Sequence, residues 1–396
     1  MLPPRPLTRL TIALGLLLLL ATAAAQTTVV PLTISSVDSD GGEPQVFLPS
    51  GGGILIGDGS GLHRSTNNGT TWTDVTPHLL FSGGCGFQTP VPSAFCDGWV
   101  MAQDAGGELY ATTTNGPSIN IITSTNNGAS WNVAANLAAG ADAVADRPWL
   151  TATTAGHVTV IWNSNGQLTP CAASTDGALT FVRSAGTAGV IAGSVETDST
   201  GALVFAVPGV AYHWPNNCAA PGLAQGAPLP AHGSGGAQLQ SAVDSSDRIY
   251  LPQPMTNSSA MQVVGINGWG GSMKTINVTI SGVGSMTMPA VAASGNQVAV
   301  SFYGSSSTGD PSSVPSSATW NVYLIRITNF WNASPTITTT KVTTSSVHSG
   351  PICLAGINCS SGRELWDYQS AAIDSAGAVH LAWTHDPSGV SYTKVP

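Results

Sequence analysis

Seven times along the chain a short apolar run leads into a small polar turn and then into an alternation of apolar and polar residues. The first three units run from Val46-Phe47-Leu48 to Ile54-Leu55-Ile56, from Val100-Met101-Ala102 to Glu108-Leu109-Tyr110, and from Trp149-Leu150-Thr151 to Val158-Thr159-Val160-Ile161-Trp162. The next three run from Val195-Glu196-Thr197 to Leu203-Val204-Phe205, from Ser241-Ala242-Val243 to Arg248-Ile249-Tyr250, and from Ala290-Val291-Ala292 to Val298-Ala299-Val300. The last joins Ala371-Ala372-Ile373 to Val379-His380-Leu381. Turns such as Asp104-Ala105-Gly106-Gly107 and Asp374-Ser375-Ala376-Gly377 have the length and residue types of hairpin connections. Most units recur every 45 to 52 residues, the span of one four-stranded propeller blade, and the last follows after about 80. No 3.6-residue period appears beyond the first 25 residues, so the expectation is all-β.

A second repeat runs out of phase with the first. Ser65-Thr66-Asn67-Asn68-Gly69-Thr70-Thr71-Trp72 returns as Ser124-Thr125-Asn126-Asn127-Gly128-Ala129-Ser130-Trp131, and more loosely as Ser174-Thr175-Asp176-Gly177-Ala178-Leu179-Thr180-Phe181. Short polar side chains can hold backbone N–H groups, Gly accepts positive φ, and the aromatic folds back on the turn. These stretches resemble the Asp-box, Ser-x-Asp-x-Gly-x-x-Trp, of the sialidase-like (BNR-repeat) β-propellers, with Asn for Asp in the first two. The resemblance implies a propeller, and six blades if it extends to the sialidases themselves. The seven hairpins predict seven four-stranded antiparallel blades, with the N-terminal segment Thr27 to Ile34 closing the last; six blades is the alternative.

The first 25 residues read as a secretion signal: Arg5 and Arg9, an apolar core from Ile12 to Leu20, then Ala21-Thr22-Ala23-Ala24-Ala25. The apolar run is shorter than the roughly 20 residues a membrane span needs. The expected product is a secreted, extracellular or periplasmic monomer comprising residues 26–396, one propeller domain with an insertion around 304–367. That insertion is read as a polar loop, a strand pair (Trp320 to Ile327 and Thr336 to Thr343) and a small cysteine loop. Without Arg5 and Arg9 nine basic and twenty acidic residues remain, a formal charge of −11. Nucleic acid and anionic membrane surfaces are therefore poor partners. Six cysteines in an exported chain favour disulfides. Proximity pairs Cys85 with Cys96 and Cys353 with Cys359, leaving Cys171 with Cys218.

In a propeller, loops that enter the innermost strand of each blade share one face with the loops between second and third strands. The resemblance puts the ligand site on that face. Asp146 and Asp367 both stand at the head of an innermost strand, with Arg147 and Tyr368 beside them. Glu196 is a carboxylate where other blades carry Ala102, Thr151, Ala242 and Ala372. A glycosidase needs two carboxyls, about 5 Å apart for retention and up to roughly 9.5 Å for inversion. Asp146, Glu196 and Asp367 are thus the catalytic candidates. Arg147, Trp149, Trp99, Arg363 and Tyr368 are the substrate-binding ones, the aromatics by stacking on sugar faces. Sialidases also grip their substrate carboxylate with three arginines. Only Arg147 and Arg363 fall near the expected pocket, so sialidase activity itself is not expected. No metal-ligand spacing occurs and no cofactor is expected, although Asp and backbone carbonyls in loops could take a structural calcium. The functional expectation is a sialidase-like propeller acting on an extracellular glycan or glycoprotein, as a glycoside hydrolase. The alternative is a non-catalytic propeller that binds glycan or protein at the cell surface.

Overall fold

The structure, a computed structural model, describes residues 23–25, 27–29, 32–39, 41–77, 98–115, 118–138, 145–164, 168–188, 193–207, 209–214, 218, 227–229, 240–255, 259–355, 359–387 and 389–396. Seven antiparallel blades follow one another in chain order. Blade 1 is built from Gln45–Phe47, Ile54–Gly57, Leu62–Ser65 and Thr73–Asp74. Blade 2 spans 100–138, blade 3 145–188, blade 4 195–228, blade 5 242–280 and blade 6 285–341. Blade 7 holds Ser370–Ile373, Val379–Thr384 and Val390–Val395, and takes its fourth strand, Ser35–Asp38, from the N-terminal side of blade 1. The ring is thus closed by pairing the two ends of the chain, which leaves the last blade no bare edge there.

The closing strand lies a few residues beyond the expected Thr27 to Ile34. Thr27–Val29 instead runs parallel to Thr339–Lys341 at the edge of blade 6, and Ala23–Ala25 parallel to the edge of blade 5. The physical reason is Val37, which packs with Val46, Ile54, Val390 and Tyr392 at the seam between blades 7 and 1. The strand pair assigned to an insertion is also placed differently. Thr319–Thr328 and Thr336–Lys341 are the outer half of blade 6, in register from Tyr323↔Lys341 to Thr328↔Thr336. The long last interval therefore comes from long strands plus the connection through 342–369, in which the short strand His348–Ser349 pairs with Thr319–Thr328.

The core is distributed between blades instead of lying in one centre. Separate clusters of buried Val, Ile, Leu and aromatic side chains fill the spaces between neighbouring blades all the way round. Each strand presents two apolar faces, because each blade is sandwiched between two others. Polar links reinforce the same seams. Gly156 N–H donates to Asp104 Oδ2 at 2.7 Å between blades 2 and 3, and Ser199 N–H to Asp247 Oδ1 at 2.7 Å between blades 4 and 5. Gln297 Nε2 donates to the Gly377 carbonyl at 3.1 Å between blades 6 and 7.

The three box turns adopt one geometry. In the first, Gly69 N–H donates to Ser65 Oγ at 2.9 Å, and Thr71 N–H donates to Asn67 Oδ1 at 3.0 Å. Asn67 Nδ2 then donates to Thr71 Oγ1 at 2.8 Å, whereas in the third box Thr180 Oγ1 donates to Asp176 Oδ2 at 2.6 Å. Reversing that one bond lets Asn replace Asp without loss of the turn. The third box places Ala178 where the others have Gly, at φ 65°.

Two expected disulfides are present, Cys171–Cys218 and Cys353–Cys359. Cys85 and Cys96 lie outside the described residues, as do residues 1–22 of the expected signal. No helix among the described residues is long and apolar enough to cross a membrane.

Candidate functional site

A cavity of about 330 Å³ runs along the propeller axis. Innermost strands or the residues leading into them line it from all seven blades, including Gln45, Ala102, Thr151, Glu196, Ser241, Val291 and Ser370. Most of its polar side chains are already committed to hydrogen bonds, several of them between blades. Gln45 Oε1 accepts from Met101 N–H, and Gln240 Nε2 donates to the Gln369 carbonyl at 2.8 Å. Gln369 Nε2 donates to the Met288 carbonyl at 3.1 Å, and Ser241 N–H donates to Ser194 Oγ at 2.8 Å.

Three groups in this lining are not committed. The buried atoms Thr151 Oγ1 and Gln369 Oε1 have no hydrogen-bond partner. The side chain of Glu196, in the strand Val195–Thr197, has no hydrogen bond or ion pair among the described residues. It borders the cavity, and burial alone pushes its pKa up to about 8. At neutral pH it is a carboxylic acid that can both donate and accept. Trp149 and Tyr368 also border the cavity, their ring centroids 5.5 Å apart in a tilted contact that joins blade 3 to blade 7.

Arg147, Arg363, Asp146 and Asp367 form a second group, which does not line the cavity. In blade 3 the register breaks between Asp146 and Trp149, and Arg147 sits there at φ 52°. A bulge of this kind re-aims a side chain. Here it sends the Arg147 guanidinium to Asp367, its closest partner, with Asp146 Oδ2 at 3.6 Å from Nε. Arg363 Nη2 donates to the same Asp367 oxygen at 2.7 Å and lies 4.0 Å from Glu43. The Asp367 side chain is 4% exposed, whereas that of Asp146 is 40% exposed. Asp367 is thus a buried acceptor held by two guanidinium groups.

The expected site residues therefore separate into two groups. Glu196, Trp149 and Tyr368 come together on the axial cavity, and Asp146, Arg147, Arg363 and Asp367 come together as an ion-pair network. Trp99 joins neither, being 1% exposed and packed among Leu55, Met101 and Leu109 between blades 1 and 2. The other arginines beyond the expected signal are engaged elsewhere. Arg64 donates to the Asn127 carbonyl, Arg183 lies over Trp162, Arg248 pairs with Asp244, and Arg326 donates to the Val395 carbonyl. Two arginines converge among the described residues, not the three a sialidase uses.

Glu43 was missed by sequence reasoning. It is buried, takes φ 54° and precedes Pro44, as Arg147 precedes Pro148 and Met288 (φ 50°) precedes Pro289. A residue before Pro at the head of an innermost strand was a readable signal for this bent entry. Thr151 and Gln369 gave no comparable signal, since their free atoms depend on which neighbours the other polar groups find.

No family model matches the chain and no curated relative was found. Among solved structures it is similar to YCF48 bound to D1 peptide, at 11% identity and a TM-score of 0.54, over 94% of this chain and 100% of that one. It is also similar to the extracellular domain of the putative one component system BT4673 from B. thetaiotaomicron, at 10% identity and a TM-score of 0.48, over 91% of this chain and 39% of that one. A third is the alpha-L-arabinofuranosidase ARB93A from Fusarium graminearum, at 10% identity and a TM-score of 0.44, over 92% and 97% of the two chains. At such identities the likeness is one of fold, and what the chain is similar to is a seven-bladed β-propeller.

Proposed function

We propose that the chain is an exported, sugar-binding propeller of the sialidase-like kind, which holds a neutral sugar residue in its axial cavity and does not cleave it. The carrying observation is the split between the two groups: among the described residues Glu196 is the one Asp or Glu lining the cavity, and the aspartates expected to work with it are absent from that lining. Hydrolysis by paired carboxyls needs two of them across one bond, and a single acid does not supply that. What remains suits recognition. Thr151 Oγ1, Gln369 Oε1 and the neutral Glu196 carboxyl offer donors and acceptors to hydroxyl groups, and Trp149 and Tyr368 offer aromatic surface. The two disulfides support an oxidising compartment, and the three boxes support the family resemblance.

The test is a panel of neutral glycans, assayed for binding and for sugar release with wild type and Glu196→Gln. Binding to wild type without release, weakening as pH rises through about 8 where Glu196 loses its proton, is the expected outcome. Glu196→Ala should weaken binding about tenfold, the worth of one or two hydrogen bonds. Release of sugar by wild type that Glu196→Gln abolishes would instead establish the hydrolase. The absence of glycan binding would leave protein binding as the function of the fold.

A further inference from the structure

A compact donor cluster lies at the seam where the ring closes, apart from the axial cavity. Asp38 ends the closing strand Ser35–Asp38. Asp58 follows the strand Ile54–Gly57 of blade 1, and His63 lies in the next strand, Leu62–Ser65. One donor atom from each of the three residues falls within 4.8 Å of the others. His63 Nε2 is 3.4 Å from Asp38 Oδ2 and 3.5 Å from Asp58 Oδ2. Ser60 Oγ joins the same group, 2.5 Å from Asp38 Oδ2 and 2.6 Å from Asp58 Oδ1.

Within this group Asp58 is fully buried, and its two oxygens differ. Oδ1 accepts from the N–H groups of Ser60 and Gly61 and from Ser60 Oγ. Oδ2 has no hydrogen-bond partner and faces His63 Nε2. A buried carboxylate oxygen with nothing donating to it is costly unless something positive meets it. Carboxylate oxygens with one imidazole nitrogen form a ligand set for a divalent transition metal. Metal–ligand bonds of about 2.0–2.1 Å in a tetrahedron hold ligand atoms about 3.3–3.4 Å apart. That is close to the two separations from His63 Nε2.

We propose that Asp38, Asp58 and His63 are the protein ligands of a divalent transition-metal site, zinc by its ligand set, with water completing the shell and Ser60 Oγ hydrogen-bonded to the carboxylates. The ion would join the N-terminal closing strand directly to the second and third strands of blade 1, pinning the ring at the seam where it closes. The rival arrangement is a protonated imidazole held between the same two carboxylates.

The experiment uses chelator-stripped full chain titrated with Zn²⁺, and with Ca²⁺ in parallel, followed by calorimetry and thermal melting. One Zn²⁺ per chain, a raised Tm and weakening of at least about a hundredfold in both His63→Gln and Asp58→Asn are expected. Asn retains the Oδ1 acceptor that holds the turn, and far-UV circular dichroism reports whether each variant is folded. If Asp58→Asn does not fold, Asp38→Asn replaces it. Three outcomes overturn the site: no Zn²⁺ retained at micromolar concentration, equal affinity in His63→Gln, or preference for Ca²⁺ over Zn²⁺.

Discussion

The Glu196 side chain has no hydrogen bond or ion pair among the described residues. Turn aspartates such as Asp198 and Asp374 receive backbone N–H groups and a histidine, and their pKa values fall. Glu196 meets only burial, and its pKa rises from 4.5 to about 8. The folded state therefore binds its proton more tightly than the unfolded chain does. Its contribution to stability is complete below about pH 4.5, declines as pH rises, and is gone above about pH 8, with a slope of up to about 1.4 kcal/mol per pH unit. Glu196→Gln should remove that slope. In urea melts between pH 5 and 8 the variant should gain steadily on wild type, whereas a constant difference would mean the acid is already ionised in the fold. Comparison with wild type also cancels His63, whose raised pKa gives a decline of the same sign. A second residue-scale test concerns the first box. A Cβ on Gly69 would lie 2.0 Å from the Tyr392 ring of blade 7, whereas one on Gly52, at a similar positive φ, meets nothing within 4 Å. Gly52→Ala should cost about 1 kcal/mol for its backbone alone, and Gly69→Ala about 2 kcal/mol more for the clash. Equal losses in thermal melts would show that the box does not lock the seam.

At the scale of elements, the bulged entry to blade 3 does more than begin a strand. It turns Arg147 toward Asp367, so the heads of blades 3 and 7 are tied by charge as well as by the Trp149–Tyr368 contact. Because Arg363 also holds Asp367, removing Arg147 does not leave the buried acid alone. Arg147→Met should cost about 2 kcal/mol, below the roughly 3–5 kcal/mol for stripping a buried charge of every partner. A double-mutant cycle with Asp367→Asn should return a coupling of about 1–3 kcal/mol, and coupling near zero would mean the two heads are held by packing alone. The heads themselves were legible in the chain, as Asp146-Arg147-Pro148-Trp149 and Trp366-Asp367-Tyr368. Their mutual pairing was not, because a repeat period assigns residues to blades but does not say which side chains reach one another across a ring. The same limit lies behind the expectation that Asp146 and Asp367 share one axial pocket with Arg147, whereas neither lines the cavity.

For the molecule as a whole, the two described disulfides close loops of very different size. Cys171 and Cys218 are separated by 47 residues and tie blade 3 to the chain beyond the third strand of blade 4, whereas Cys353 and Cys359 are separated by 6. On chain entropy alone the first contributes about 4 kcal/mol and the second about 2 kcal/mol. Paired Cys→Ala replacements should therefore differ in Tm, with the Cys171–Cys218 variant melting lower. The reverse order would mean that native-state contacts around 353–359 outweigh the entropy of the unfolded chain.

Local chemistry alone determined the class and repetition of this protein. Alternating apolar residues specify strands, Asp- and Gly-bearing turns specify hairpins, and a period near 50 residues specifies blades, because each of these is satisfied within a few tens of residues. The number of blades, the presence of a closing N-terminal strand and two disulfides followed from the same local information. Tertiary structure decided everything that depends on convergence. It chose Ser35–Asp38 as the closing strand, where the Val37 side chain reaches the seam. It drew Asp367 into an ion pair, left the Glu196 side chain unpaired on the axial cavity, and brought Asp38 beside Asp58 and His63. Charge and solvation act through space, and the groups that satisfy or abandon one another here lie on different blades.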